Sequence, residues 1–293
     1  MLNDTIKNLD IMLVCLKSYG IALTLFVMSG SYETEMLTRG FVAQVVKFVF
    51  LCRVPVLSRL IILVYAKIMK ADFYGHDVGD FDCLLSFFLR SRDLSVKMRG
   101  QDLVDGFVSP AEGKIVFWDK LSHNDTMPIK GAGFTVSKLL GRDAPHFQTG
   151  AVIYLSPGNY HHVHAPIDLV VEDYYELPGK LESVAPAMIK KFPQLFAENL
   201  RQVILAKTRK GASVAIVLVG AKNVGSIQCP KLAGWEPGMD ISFAKGEALG
   251  FFSLGSTVVM LLDEDIPSPV EINSSVDVID LLFIAGDRDD ASH

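Results

Sequence analysis

From Phe107 onward the chain is a succession of short apolar runs cut by glycine, proline and asparagine. No other feature constrains the fold as strongly. Runs of five to nine residues between turn-formers read as β-strands. The candidates are Lys114–Trp118, Ala151–Leu155, Leu169–Leu177, Arg201–Ala206, Ser213–Val219, Ala248–Phe252 and Thr257–Leu262. Several are apolar at consecutive positions, so both of their faces must be covered, as in a buried sheet, barrel or sandwich. Helical spacing in this half is confined to Val136–Leu140 and Ala187–Asn199, and Val270–Ile284 fits either strand or helix.

The N-terminal part has a different texture. Residues 11–28 are mostly apolar, but Lys17 lies near their middle, and a central lysine costs about 2.5–3.5 kcal/mol on membrane-insertion scales. A helix lying on a membrane surface or buried in protein therefore suits this stretch better than a spanning one. Pro55 breaks the next apolar stretch, and Val56–Lys70 reads as a helix. Arg59, Lys67 and Lys70 fall within a sector of roughly 80° on it. Residues 41–70 hold five basic and no acidic residues. A basic stripe on an apolar helix suits an anionic lipid surface; the plainer reading is a core helix with a solvated edge. The expected class is α+β: a helical, membrane-associated region over 1–70, then a β-rich, barrel/sandwich-like catalytic domain over 71–293. The net charge of −5 argues against a nucleic-acid partner. The four cysteines show neither CxxC spacing nor a nearby histidine ligand pattern, so no metal site is expected and a reducing, cytoplasmic side is.

Three stretches carry chemistry. They are Ser109-Pro110-Ala111-Glu112-Gly113, Tyr160-His161-His162-Val163-His164 and Leu254-Gly255-Ser256-Thr257. Carboxylate, histidine and serine are the parts of an activated hydroxyl nucleophile. Taken alone, Ser256 reads as a turn serine between two strands. The three stretches in this order, with Tyr154-Leu155-Ser156-Pro157 and Val224-Gly225-Ser226-Ile227 beside them, resemble the phosphatidylserine decarboxylase proenzymes over roughly Phe81 to Leu262.

The resemblance implies a self-processing enzyme. Ser256 would be the nucleophile, His164 its base and Glu112 the carboxylate orienting that base. Cleavage between Gly255 and Ser256 would leave chains 1–255 and 256–293 as a heterodimer and convert Ser256 to a pyruvoyl group. That cofactor would take the amine of phosphatidylserine as a Schiff base, and His161 would deliver the proton that completes phosphatidylethanolamine. The lipid substrate implies a peripheral or monotopic place on the cytoplasmic side of the cell membrane. Two departures stand out. Glu112 replaces the family's aspartate, which adds a methylene to the arm. His162 replaces an arginine and is expected to be exposed, without a role. Three rivals stay open: a processing-dead membrane-binding relative, a pyruvoyl decarboxylase of another phosphoserine lipid, and an uncleaved serine hydrolase, although no Gly-x-Ser-x-Gly elbow surrounds Ser256.

Overall fold

The computed structural model describes residues 48–101, 106–121, 126–129, 132–143, 146–184, 188, 192, 194–221, 227–253, 256–268 and 270–284. The apolar stretch 11–28, the scissile Gly255 and the Val224-Gly225-Ser226 motif lie outside the described residues. The chain divides into two compact units between Phe87 and Phe88.

The described part of the first unit is helical. Its main element, Pro55–Met69, starts with proline at its N-terminal turn and ends at Lys70 in the left-handed conformation. Proline is tolerated there because that N–H has no partner inside a helix. Ile62 and Ala66 pack against Phe81, Leu84 and Phe87. About a quarter-turn round the helix from Ile62 and Ala66, Val56 is 81% and Leu63 48% exposed, in the same sector as the exposed Arg59, Lys67 and Lys70. Among the described residues no helix is long and apolar enough to cross a membrane.

The second unit is built on one sheet. Its strands, in chain order, are β1 (Gly106–Val108), β2 (Gly113–Lys120), β3 (Thr126–Ile129), β4 (Ala132–Thr135), β5 (Thr149–Leu155), β6 (His162–His164), β7 (Leu169–Leu177), β8 (Arg201–Thr208), β9 (Ser213–Val219), β10 (Ile227–Gln228), β11 (Ser242–Phe243), β12 (Ala248–Phe252), β13 (Ser256–Leu262), β14 (Ser275–Val276) and β15 (Leu281–Ile284). Eight of them form an antiparallel sheet in the order β11-β7-β8-β9-β13-β5-β2-β14. The expected barrel does not close: the two ends of this sheet are different strands that do not pair with each other. Both end strands are two residues long, which leaves little open edge.

Two-sided burial holds as expected. All seven residues of β13 are buried between β5 and β9. Val258 and Met260 face a core shared with Val163, Leu249, Phe252 and Ile227, so the three-stranded sheet β10-β12-β6 covers that face. Val259 and Leu261 face a second core made with Met127, Phe134, Leu139 and Phe196. The β3–β4 hairpin and the helices Val136–Leu140 and Leu195–Glu198 cover that one. Val270–Ile284 resolves as the short strands β14 and β15.

Candidate active site

Two chain crossings assemble the site. β5 pairs with β13 in the large sheet, with Leu155 opposite Ser256. β6 pairs with β12 in the small sheet, with His162 opposite Phe251. The connection from β5 to β6 carries Tyr160 and His161, and the connection from β12 leads into Ser256. Both pass from one sheet to the other at the same end, where His161 bonds to Phe252 three residues before the Gly255–Ser256 bond; His164 lies opposite Ala248, at the start of β12. Glu112 joins them because it precedes β2, whose Lys114 lies opposite Tyr154 of β5. The backbone N–H of His164 donates to the carbonyl of Pro110 at 2.8 Å, and Phe252 N–H donates to the carbonyl of His161 at 3.0 Å. Gly113 ends the Glu112 motif for a steric reason: a Cβ there would sit 2.5 Å from the Tyr154 carbonyl oxygen.

Ser256 is the first residue of β13 and is fully buried. Its Oγ has no hydrogen-bond partner among the described residues. An unpaired buried hydroxyl is destabilising and rare, so its retention here fits a reacting group better than a turn.

Residues 160–164 alternate along extended backbone. Tyr160, His162 and His164 share one side, and their rings stack: Tyr160 lies 4.9 Å from His162 and 5.7 Å from His164, centroid to centroid. His162 continues the column to Phe251 at 5.3 Å. His162 is therefore half-buried, not the exposed residue expected, and its Nε2 pairs with the Leu89 carbonyl at 3.1 Å. His161 belongs to the other side of the strand and packs on Phe88 at 4.1 Å.

The two histidines of interest are held differently. His164 has Nδ1 on the Gly246 carbonyl at 2.8 Å and Nε2 on the Tyr160 hydroxyl at 3.2 Å. His161 has Nδ1 on the Asn159 carbonyl at 2.9 Å, and its buried Nε2 has no partner among the described residues. A carbonyl only accepts, so Nδ1 carries the proton in both neutral rings. Burial pushes the pKa of His161 down to about 3 and that of His164 down to about 4; the Nδ1 hydrogen bonds pull the other way. Both imidazoles are thus neutral at physiological pH, each with its lone pair on Nε2.

Glu112 is not a hydrogen-bond partner of His164, contrary to the expected orienting contact. Its Oε1 accepts from Asn159 Nδ2 at 2.7 Å and its Oε2 from Arg92 at 3.4 Å. Asn159 links this carboxylate to His161, because its own carbonyl accepts from the ring. Asn159 Oδ1 also accepts from Ser156 N–H at 2.8 Å and Ser156 Oγ at 2.6 Å. Arg92 makes a two-pronged pair with Asp277, at 2.5 and 2.7 Å. The structure thus adds Tyr160, Asn159, Arg92 and Gly246 to the residues expected from sequence. Tyr160 alone had a legible signal, the i, i+2, i+4 alternation with His162 and His164.

The profile of the phosphatidylserine decarboxylase family matches residues 84–281. Curated relatives agree with it. A phosphatidylserine decarboxylase proenzyme of Alkalilimnicola ehrlichii is 31% identical over 255 residues, covering 80% of this chain and 88% of its own. One from Coxiella burnetii is 32% identical over 71% of this chain and 78% of its own. One from Acinetobacter baumannii is 36% identical over 61% and 66% respectively. The chain belongs to the phosphatidylserine decarboxylase family. Its enzymatic class is therefore decarboxylase, and the family match spans every site residue named above.

Proposed function

We propose that this chain is a zymogen that cleaves itself between Gly255 and Ser256 and then decarboxylates phosphatidylserine to phosphatidylethanolamine. The observation that carries the proposal is the buried Ser256 hydroxyl at the head of β13, which has no hydrogen-bond partner among the described residues. Proenzyme relatives support the processing step.

In the first step Ser256 Oγ attacks the carbonyl carbon of Gly255. His164 Nε2 takes the hydroxyl proton and returns it to the departing amide nitrogen, so the peptide becomes an ester. Transfer of the Ser256 α-proton to His164 Nε2, which has given up its first proton, breaks the Cβ–O bond of the ester, leaving a carboxylate on Gly255 and a Cα–Cβ double bond at residue 256. The new N-terminus then loses ammonia to water and becomes a pyruvoyl group. The residues present fit that group: the Ser256 hydroxyl has no hydrogen-bond partner among the described residues, and β5 and β9 hold its strand on both sides.

Once formed, the pyruvoyl carbonyl supplies an electron-accepting centre for loss of carbon dioxide. The chain's own residues do the rest. His161 Nε2 carries the lone pair of the resting neutral ring and no described group restrains it, so it is where a proton released from the substrate's ammonium group can be taken up and passed to the substrate's α-carbon. Asn159 fixes the His161 ring through Nδ1, and Glu112 fixes Asn159. Glu112 thus serves as a positioning residue for His161.

We place the enzyme on a membrane surface at the cytoplasmic side, held by the helix Pro55–Met69. Val56 and Leu63 offer apolar contact, and Arg59, Lys67 and Lys70 offer charge to anionic lipid on the same sector. Replacing Val56 and Leu63 with aspartate in the full chain should sharply reduce binding to phosphatidylserine-containing vesicles; unchanged binding would move the anchor elsewhere.

The direct test of the reaction is mass analysis of recombinant protein. A fragment 256–293 bearing an N-terminal pyruvoyl group is expected, and Ser256→Ala should leave one intact, inactive chain. His161→Ala should still split but release little carbon dioxide from the lipid. Cleavage at this bond in Ser256→Ala would refute the mechanism.

A further inference from the structure

The base assigned to self-cleavage is already occupied. The Gly246 carbonyl, 2.8 Å from Nδ1 of His164, can only accept, so the neutral ring carries its one proton there. Nε2 is left as a bare lone pair. The Tyr160 hydroxyl, 3.2 Å away, must then be the donor to it. Burial pushes the Tyr160 pKa up to about 12, against the pull of Arg92 and Arg90, so the hydroxyl keeps its proton to donate. Ser256 Oγ, whose proton has to reach that same lone pair, is buried and has no partner among the described residues.

We propose that Tyr160 is a latch on self-cleavage, its hydroxyl capping the His164 lone pair that must receive the Ser256 proton. The inference rests on the reading of His164 as the base. The ring of Tyr160 is 3% exposed and held in the column between His162 and His164, so it cannot swing away as a whole. The latch opens by turning the O–H bond about its C–O axis, which needs no repacking. It costs one neutral hydrogen bond each time the base is used. The processing steps proposed above do not use this hydroxyl: the base, nucleophile and scissile carbonyl are supplied by His164, Ser256 and Gly255.

The test follows the appearance of fragment 256–293 during cell-free synthesis of wild type, Tyr160→Phe and His164→Ala, all as full chains. Phenylalanine keeps the stacked ring and removes only the hydroxyl. Cleavage in Tyr160→Phe should be about 2- to 10-fold faster, the factor that one neutral hydrogen bond controls. Damage to packing would slow cleavage, so acceleration cannot be a folding artefact. A second readout uses full-length Ser256→Ala protein with 15N-labelled histidine. The His164 Nδ1 should be protonated and Nε2 a hydrogen-bonded acceptor; adding Tyr160→Phe should move Nε2 alone toward the position of a free, unprotonated nitrogen. If His164→Ala blocks cleavage but Tyr160→Phe matches or trails wild type, the latch is refuted and the base stands. If His164→Ala cleaves normally, the base assignment falls and the latch with it. A protonated Nε2 in the Ser256→Ala protein would also refute the latch.

Discussion

Acidifying the uncleaved Ser256→Ala protein from pH 7 to pH 5 should destabilise it by about 4 kcal/mol, through two histidines. Burial depresses the His161 pKa to about 3 and the His164 pKa to about 4, against a usual value near 6.5. The unfolded chain therefore binds protons in this window and the native state does not. Stability is full above about pH 6.5 and is lost as the pH falls toward the folded values. At pH 5 the unfolded ring is almost wholly protonated and the folded ring about a tenth or less. Relative to pH 7, each ring contributes roughly 2 kcal/mol to the loss. His162, also held down by burial, acts in the same direction. Unfolding by urea at pH 7.0, 6.0 and 5.0, followed by tryptophan fluorescence, measures the change. His161→Gln cannot titrate and should reduce the pH dependence by about half. A stability that varies by less than about 1 kcal/mol over this window, or a Gln variant with the full dependence, would show that these rings are not buried neutral.

Two further outcomes follow from packing and charge. Gly113→Ala forces a Cβ to 2.5 Å from the Tyr154 carbonyl, so β2 must shift off β5; a loss of about 1–3 kcal/mol in the Ser256→Ala background is expected, and an unchanged melting temperature would refute the contact. Arg92→Met removes the paired bonds to Asp277 and the bond to Glu112. Burial alone would raise the Asp277 pKa, but Arg92 and Lys97 more than offset it and hold it below the usual value. The variant should lose about 1.5–3 kcal/mol at pH 7, and the deficit should shrink as acid protonates Asp277; a deficit that persists at low pH would assign it to packing instead.

Much of the fold was legible because its information is local. Leu169–Leu177, Ser213–Val219 and Ala248–Phe252 were readable to the residue, since their apolar runs end at glycine, proline or charge within a few positions. The helix Pro55–Met69 announced its own start through proline. The order of the three motifs carried the family and pointed to Ser256, His161, His164 and Glu112 together. Strands β6, β10, β11 and β14, of two or three residues, were beyond any periodicity argument. Whether the large sheet closes depends on whether β11 meets β14, a pairing between segments far apart in the chain. Hydrogen-bond partners were hidden for the same reason. The group that fixes His164 is a backbone carbonyl 82 positions away, in a turn where Gly246 has φ +79°. The carboxylate expected beside that ring instead reaches Asn159, 47 positions along. A sequence states which groups can donate, accept or attack; which lone pair stays free is decided only when distant strands come into register.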